Sequence, residues 1–410
     1  MSQLDTAWPA GRDVPDVEKL IRQTREQEQQ PVCAYIYDLV ALRERAHRCV
    51  NSLPDECKLF YAVKANPDPQ LIASLLPIVK GFEAASIGEI RTIRGVSGDV
   101  PIIFGGPGKK DAEIEEALER DVMLIHAESL HEVQRIGWIA ERRQQRVSIL
   151  LRINLRRTLP EASITMSGRP TQFGIDEIQV PEAIRLVQSL PFVQLEGFHM
   201  HSLSNNLDAR LHAQMVATYL QCVQGWMQEY ALSIRYLNAG GGFGISYTEP
   251  ERRFEWNDFM EELHQVWEDY HIPGIQLIFE PGRYIVAHCG YYATEVIDLK
   301  TNHDQHYAIV RGGTHHFRLP VSWQHNQPFE VIAVDDWPYP FPRTEWRQTT
   351  ITIAGELCTP KDVLAHEVDV EQLRIGDILL FHIAGAYGWT ISHHDFLSHP
   401  HPHFYYINGT

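Results

Sequence analysis

From residue 58 to residue 283 the chain alternates short apolar, β-branched runs with polar segments of helical periodicity. The runs are KLFYAVKA (58–65), GFEAAS (81–86), PIIFGG (101–106), VMLIHAES (122–129), VSILLRINL (147–155), LEGFHMHSL (195–203), YLNAGGG (236–242) and QLIFEPGR (276–283). Strands that are apolar on both faces and linked by helices predict parallel β/α units, and this number of them predicts a closed (β/α)8 TIM barrel. A doubly wound sheet is the competing fold. The barrel is preferred because Lys64, Glu83, His126, Asn154, His199, Gly240 to Gly242 and Glu280 all fall at or near the C-terminal end of their run, where barrel active sites form.

The flanks read differently. Residues 16–30 are polar and rich in helix formers, which predicts a solvated helix, and VCAYIYDL (32–39) predicts a strand feeding a helix over 41–53. Beyond about 290 the period drops to two, in YYATEVIDL, HYAIVRGG, FEVIAV, TTITIAGEL, DVLAHEVDV, DILLFHIAGAY and HFYYING, so a second, all-β domain follows. The expected division is an N-terminal helix and strand packing with the β domain (1–39), a barrel (40–288) and a C-terminal β-sandwich or β-barrel domain (289–410). WPYPFPR (337–343) reads as an exposed loop.

Composition narrows the partners. A net charge of −17 over 410 residues argues against nucleic acid or an anionic membrane. The six cysteines lack paired C-x-x-C spacing, the first twenty residues lack an apolar signal core, and no apolar run reaches spanning length. A cytoplasmic enzyme with reduced thiols is the expectation.

Lys64 stands among apolar residues at the end of the first barrel run, where desolvation lowers an amine's pKa and frees it to attack an aldehyde. A surface lysine is the alternative for Lys64 taken alone. Gly240, Gly241 and Gly242 follow the seventh run, where backbone N–H groups can face a phosphate, although turns also use glycine. Arg283 supplies a cation at the next strand end. Glu280 is either its ion-pair partner or a carboxylate that keeps a pyridine nitrogen protonated.

YAVKAN, FHMHS, GGG, EPGRY, LCTPKD and GAYG, in this order and spacing, resemble the fold-type III decarboxylases that use pyridoxal 5′-phosphate, the ornithine and diaminopimelate decarboxylase family. The resemblance covers roughly 32 to 406. It implies Lys64 as the Schiff-base lysine, Glu280 as the pyridinium partner and His199 stacked on the cofactor ring. Ser202, Gly240 to Gly242, Arg283 and Tyr387 would bind the phosphate. Glu83 and Glu89 match acidic positions bordering the cofactor. Cys358 matches a cysteine that reaches the partner subunit's site and protonates the carbanion, which implies a head-to-tail homodimer with shared active sites.

At the substrate's far end the chain departs from members that act on basic amino acids. Thr359 stands where a carboxylate follows the cysteine, and 311–326 carries His315, His316 and Arg318 in place of a second acid. Losing acids and gaining bases predicts an anionic or oxygen-rich far end. His201 replaces a glycine of the H-x-G-S version, and SHHDFLSHPHPHF (392–404) adds histidines for which metal is the weaker reading. SITMSGRPTQFGI, HSLSNNLD and FRLPVSWQHN resemble a branch of the family that decarboxylates citryl-2,3-diaminopropionate to citryl-diaminoethane in the assembly of a carboxylate siderophore, staphyloferrin B. A diaminopimelate decarboxylase and a non-catalytic regulatory homologue are the rival readings.

Overall fold

A computed structural model describes residues 14–27, 30–156, 170–249 and 251–409. Residues 1–13, and 163–169 of SITMSGRPTQFGI, lie outside the described residues. The chain forms two compact units, one of residues 39–287 and one of residues 1–38 with 288–410. The helix after the first strand begins at Leu39, so each joint falls one residue before the place expected from the sequence.

In the 39–287 unit, strands Cys57–Ala62, Gly81–Ala84, Ile102–Phe104, Leu124–Ala127, Val147–Asn154, Val193–His199, Tyr236–Asn238 and Gln276–Phe279 pair in parallel in that order. The last pairs with the first, Leu277 opposite Cys57 and Phe279 opposite Leu59, which closes the barrel and excludes the doubly wound sheet. A two-residue strand, Ile175–Asp176, adds to the outside of Val147–Asn154. Phe60, Ile103, Leu124, Leu150 and Ile278 fill the interior, and each comes from one of the apolar runs. Gly197 is required by close approach: a Cβ there would lie 1.8 Å from the carbonyl of Tyr236 on the adjacent strand.

In the other unit, strand Gly290–Asn302 organises a mixed sheet. Its first half pairs antiparallel with Cys33–Asp38 and with Ile378–Phe381, and its second half with Gln305–Val310. Strand His403–Ile407 runs parallel to Cys33–Asp38, Phe329–Ile332 pairs with Ile378–Phe381, and Glu345–Ala354 joins Gln305–Val310 to Val363–Arg374. Helix Val14–Gln27 is not the solvated element that its polarity predicted. Val17, Ile21 and Thr24 repeat at helical spacing, and Val17 and Ile21 pack with Ile332, Val334, Ile378 and Leu380, a stripe too narrow to stand out in so polar a segment. The 337–343 loop is exposed, with Tyr339 stacked on Phe341. Among the described residues no helix is long and apolar enough to cross a membrane.

Candidate active site

The C-terminal rim of the barrel holds a buried acid surrounded by polar rings and an amide. Asn238, the last residue of its strand, donates to Glu280 Oε1 at 2.6 Å. His199 Nε2 is 3.6 Å and His126 Nε2 3.8 Å from the same carboxyl group. The two imidazoles stack, with centroids 3.9 Å apart. Burial is the main force on all three titratable groups: it pushes Glu280 up to about 8, helped by the charge of Glu83, and holds both histidines well below their ordinary value. Among the described residues Glu280 meets these groups and not Arg283, so the ion pair left open by the sequence does not form.

Lys64 lies in a single 3-10 turn, Val63–Ala65, just past the strand. Its Nζ is 3.3 Å from Glu83 Oε2, and Glu83 itself is buried. Glu89 sits in the first turn of helix Ile87–Val96, takes the N–H of Ala85 at 2.6 Å, and is pushed up to about 7 chiefly by burial. It closes a helix start, with Ser86 accepting from the Glu89 N–H. The same S-x-x-E device recurs at Ser129 and Glu132, where Glu132 also binds Lys109, and Lys109 in turn donates to the carbonyls of Gly106 and His126. Arg152 pairs with Glu128 at 2.8 Å, and Glu128 also receives the N–H groups of Gly106 and Gly174. Thus a buried ionic layer fixes the loops after the third and fifth strands. Asn238, Lys109, Glu128, Glu132 and Arg152 were not singled out from sequence. The two S-x-x-E signatures, and polar residues inside otherwise apolar strands, were the available signals.

The glycine loop follows Asn238. Gly240 and Gly242 have φ of +68° and +95°, a left-handed backbone that disfavours other residues. Gly241 could carry no side chain, because a Cβ would meet the Glu280 carbonyl at 2.3 Å. Ser202 is buried, and its N–H donates to the Tyr219 hydroxyl. Arg283 is buried at the start of the short helix Arg283–Val286, with Nη1 3.4 Å from the Tyr247 hydroxyl.

The remaining candidates belong to the β-domain unit. Cys358 is exposed, whereas the other five cysteines are buried free thiols. Burial pushes Cys33 and Cys57 up to about 12. Thr359 follows Cys358 in a tight turn, its N–H bonded to the Leu357 carbonyl. Arg318 is exposed immediately before helix Leu319–Trp323, and its N–H donates to the Ser392 hydroxyl. His315 and His316 are set deeper than Arg318. Both are fully buried, with His316 Nδ1 3.3 Å from Cys33 Sγ, and burial lowers them to about 4 and about 2. They line the packing behind the loop rather than its open face, because the paired glycines Gly312 and Gly313 turn the chain inward. Gly312 has φ of +82°, and a Cβ there would meet the Tyr292 hydroxyl at 2.4 Å. Of the histidines at 392–404, His394 stacks on Trp389 and His399 approaches Glu356, so these two serve packing contacts. Tyr387 is half-buried with φ of +55°.

Residues 39–287 match the model of the pyridoxal-dependent decarboxylase pyridoxal-binding domain. A Staphylococcus aureus (strain NCTC 8325 / PS 47) protein named 2-[(L-alanin-3-ylcarbamoyl)methyl]-2-hydroxybutanedioate decarboxylase is 45% identical over 96% of this chain and 98% of its own. This chain belongs to the pyridoxal-dependent decarboxylases. A Niallia circulans L-glutamyl-[BtrI acyl-carrier protein] decarboxylase is 32% identical over 90% of this chain and 87% of its own. In fold, the decarboxylase matches the crystal structure of Helicobacter pylori diaminopimelate decarboxylase complexed with L-lysine. The TM-score is 0.81 and the identity 24%, with 94% of each chain covered.

Pyridoxal 5′-phosphate is the cofactor of this decarboxylase family, and the rim fits it. Glu280 is a buried acid whose carboxylate form lacks sufficient countercharge, a deficit that a pyridinium N–H would fill. Neither ring nitrogen of His199 has a hydrogen-bond partner among the described residues, which suits a ring whose work is stacking. Ligand atoms of His126, His199 and Glu280 lie within 4.8 Å of one another, a spacing that a metal ion could also use. However, His126 Nε2 faces the Asn238 amide N–H at 3.2 Å, a donor that a metal would have to displace.

Proposed function

We propose that this enzyme decarboxylates the 2,3-diaminopropionate end of a citryl conjugate, citryl-2,3-diaminopropionate, and releases citryl-diaminoethane for carboxylate siderophore assembly of the staphyloferrin B type. The observation that carries this reading is the exposed guanidinium of Arg318, on a loop tied to that of Cys358, with Thr359 and not a carboxylate after the cysteine. Arg318 stands exposed on one loop, Cys358 exposed and Thr359 half-buried on another, and Asp362 ties the two together by accepting from Thr314 N–H and Leu357 N–H at 2.6 and 2.8 Å. The Staphylococcus aureus relative supports it, since the substrate in its name carries an amino acid at one end and a hydroxybutanedioate at the other. Arg318 would pair with those carboxylates, to which a planar guanidinium is suited.

The residues divide the work as follows. Lys64 holds the cofactor through its amine. Glu280 would hold the proton of the ring nitrogen, with Asn238 orienting Glu280, and His199 would cover one ring face. Ser202, the glycine loop, Arg283 and Tyr387 bind the phosphate. When bound, the cofactor supplies an electron sink for the pair left on Cα as CO₂ departs. Cys358 of a second copy of the chain then gives its proton to Cα, so the active form is a homodimer with two shared sites, working in the cytoplasm.

The test is CO₂ release from citryl-diaminopropionate and from diaminopimelate under identical conditions. The conjugate should be turned over and diaminopimelate not. Turnover of diaminopimelate alone would overturn the substrate assignment. Arg318→Ala should raise KM for the conjugate by roughly 10-fold to 100-fold, the loss of one charge-assisted pair.

A further inference from the structure

Two of the three glycine N–H groups that could face a phosphate are already engaged within the protein. Gly240 N–H donates to Asn238 Oδ1 at 2.9 Å, and Gly241 N–H donates to His201 Nδ1 at 3.0 Å. Only Gly242 N–H is left without a hydrogen bond among the described residues, a poor supply of donors for a dianion with three terminal oxygens.

An amide N–H can only donate, so His201 Nδ1 must present its lone pair to Gly241, and the proton of the neutral ring then resides on Nε2. The ring is wedged against the loop, since a Cβ on Gly240 would lie 2.4 Å from His201 Nδ1. Burial keeps His201 well below its ordinary value, and the charges of Lys64 and Arg152 push it the same way, so the ring stays neutral and this tautomer is held. We propose that His201 is a phosphate-binding residue of the cofactor site, its Nε2–H replacing the Gly241 N–H that the imidazole has taken. The proposal rests on the reading that the glycine loop and Arg283 receive the phosphate. It assigns a purpose to a histidine where H-x-G-S would carry glycine, because glycine would leave the Gly241 N–H itself for the anion.

The experiment titrates apo-enzyme with pyridoxal 5′-phosphate and with pyridoxal, which has the same ring and aldehyde but no phosphate, and reads the visible absorbance of the cofactor joined to Lys64. His201→Phe keeps a ring in place and removes both nitrogens. It should weaken the phosphate form about 10-fold, the value of one hydrogen bond to a charged acceptor, and leave pyridoxal within about twofold. His201→Gln, whose amide can accept from Gly241 and donate onward, should recover most of the loss and guards against a phenylalanine variant that fails to fold. Equal loss of both ligands in His201→Phe, or loss of neither, overturns the proposal. Arg283→Gln separates the two readings. A fall in the ratio of phosphate-form to pyridoxal affinity in Arg283→Gln but not in His201→Phe sinks the His201 role alone. An unchanged ratio in both sinks the phosphate loop as well.

Discussion

Asn238 reaches His126 and Glu280 with one side-chain amide, its Nδ2 3.2 Å from His126 Nε2 and 2.6 Å from Glu280 Oε1, while its Oδ1 accepts the N–H of Gly240 at 2.9 Å. The amide therefore joins the stacked histidines, the buried acid and the glycine loop. Its donors also fix the His126 tautomer: Nε2 accepts, so Nδ1 carries the proton.

Asn238→Asp tests that junction. The substitution preserves shape but sets a second carboxyl group against Glu280 in a buried site, where two carboxylates cannot both ionise without a large penalty. The variant should lose ~3 kcal/mol or more of stability at pH 8, with part recovered near pH 5 as the pair shares a proton. Denaturant unfolding at the two pH values is the measurement. Equal destabilisation at both would mean that Asn238 and Glu280 do not interact as described.

The elevated carboxyl groups of Glu280, about 8, and Glu89, about 7, give the apo-enzyme a contribution to stability that falls with pH, against the rising contribution of the buried histidines held below their ordinary value. Each carboxyl group retains a proton in the folded state that the unfolded chain releases near pH 4 to 5, so the native state binds more protons across this window. Their contribution to stability is then greatest below the unfolded value and falls as pH rises toward 8. The melting temperature of wild-type apo-enzyme minus that of Glu280→Gln should decline from pH 5.5 to 8.5, a slope from which the histidines common to both proteins cancel. Cofactor should flatten that slope, because a pyridinium N–H would give the Glu280 carboxylate a partner. A difference that does not change with pH would contradict the burial-driven shift.

Much of this site is legible in the sequence. The eight barrel strands, Lys64 and Glu280 could be located because apolar runs end abruptly in reactive side chains, a pattern set by local sequence. Asn238 and Arg152 were harder to read, since their partners lie in other strands and only barrel closure brings them together. The burial of His315 and His316 was hard to read for a related reason. A basic sequence suggests a basic surface, but the glycines before them direct both rings inward toward Cys33 and Tyr292. Arg318, only two residues on, remains outside.

The proposed shared site predicts complementation. Cys358→Ala should retain cofactor and lose most turnover, and Lys64→Ala should lose cofactor attachment. After subunit exchange a mixture should regain activity, because a hybrid dimer contains one site with both native residues. Activity assays before and after exchange, with exchange verified by mass-tagged subunits, decide the matter. Exchange without recovery would show that Cys358 acts within its own chain or not at all.

Asp362 is the residue on which the Cys358 loop depends. Its carboxylate is buried and takes three hydrogen bonds, from the Thr314 N–H at 2.6 Å, the Thr314 hydroxyl at 2.8 Å and the Leu357 N–H at 2.8 Å. A Cβ on Gly313 or Gly355 would lie within 2.5 Å of that carboxylate, so both loops use glycine to close around it. Asp362→Ala strands three buried donors, each costing ~1–3 kcal/mol, and should lower stability by ~3 kcal/mol or more. Asp362→Asn keeps the volume but offers one acceptor oxygen in place of two, so it should cost about half as much. Because the anchor joins the Arg318 loop to the Cys358 loop, Asp362→Asn should raise KM and lower kcat together. It should leave cofactor affinity within about twofold, since the residues proposed to hold the cofactor, Tyr387 apart, belong to the 39–287 unit. Steady-state kinetics alongside cofactor titration separates these effects, and a variant with normal kcat and KM would show that the two loops hold their positions without Asp362.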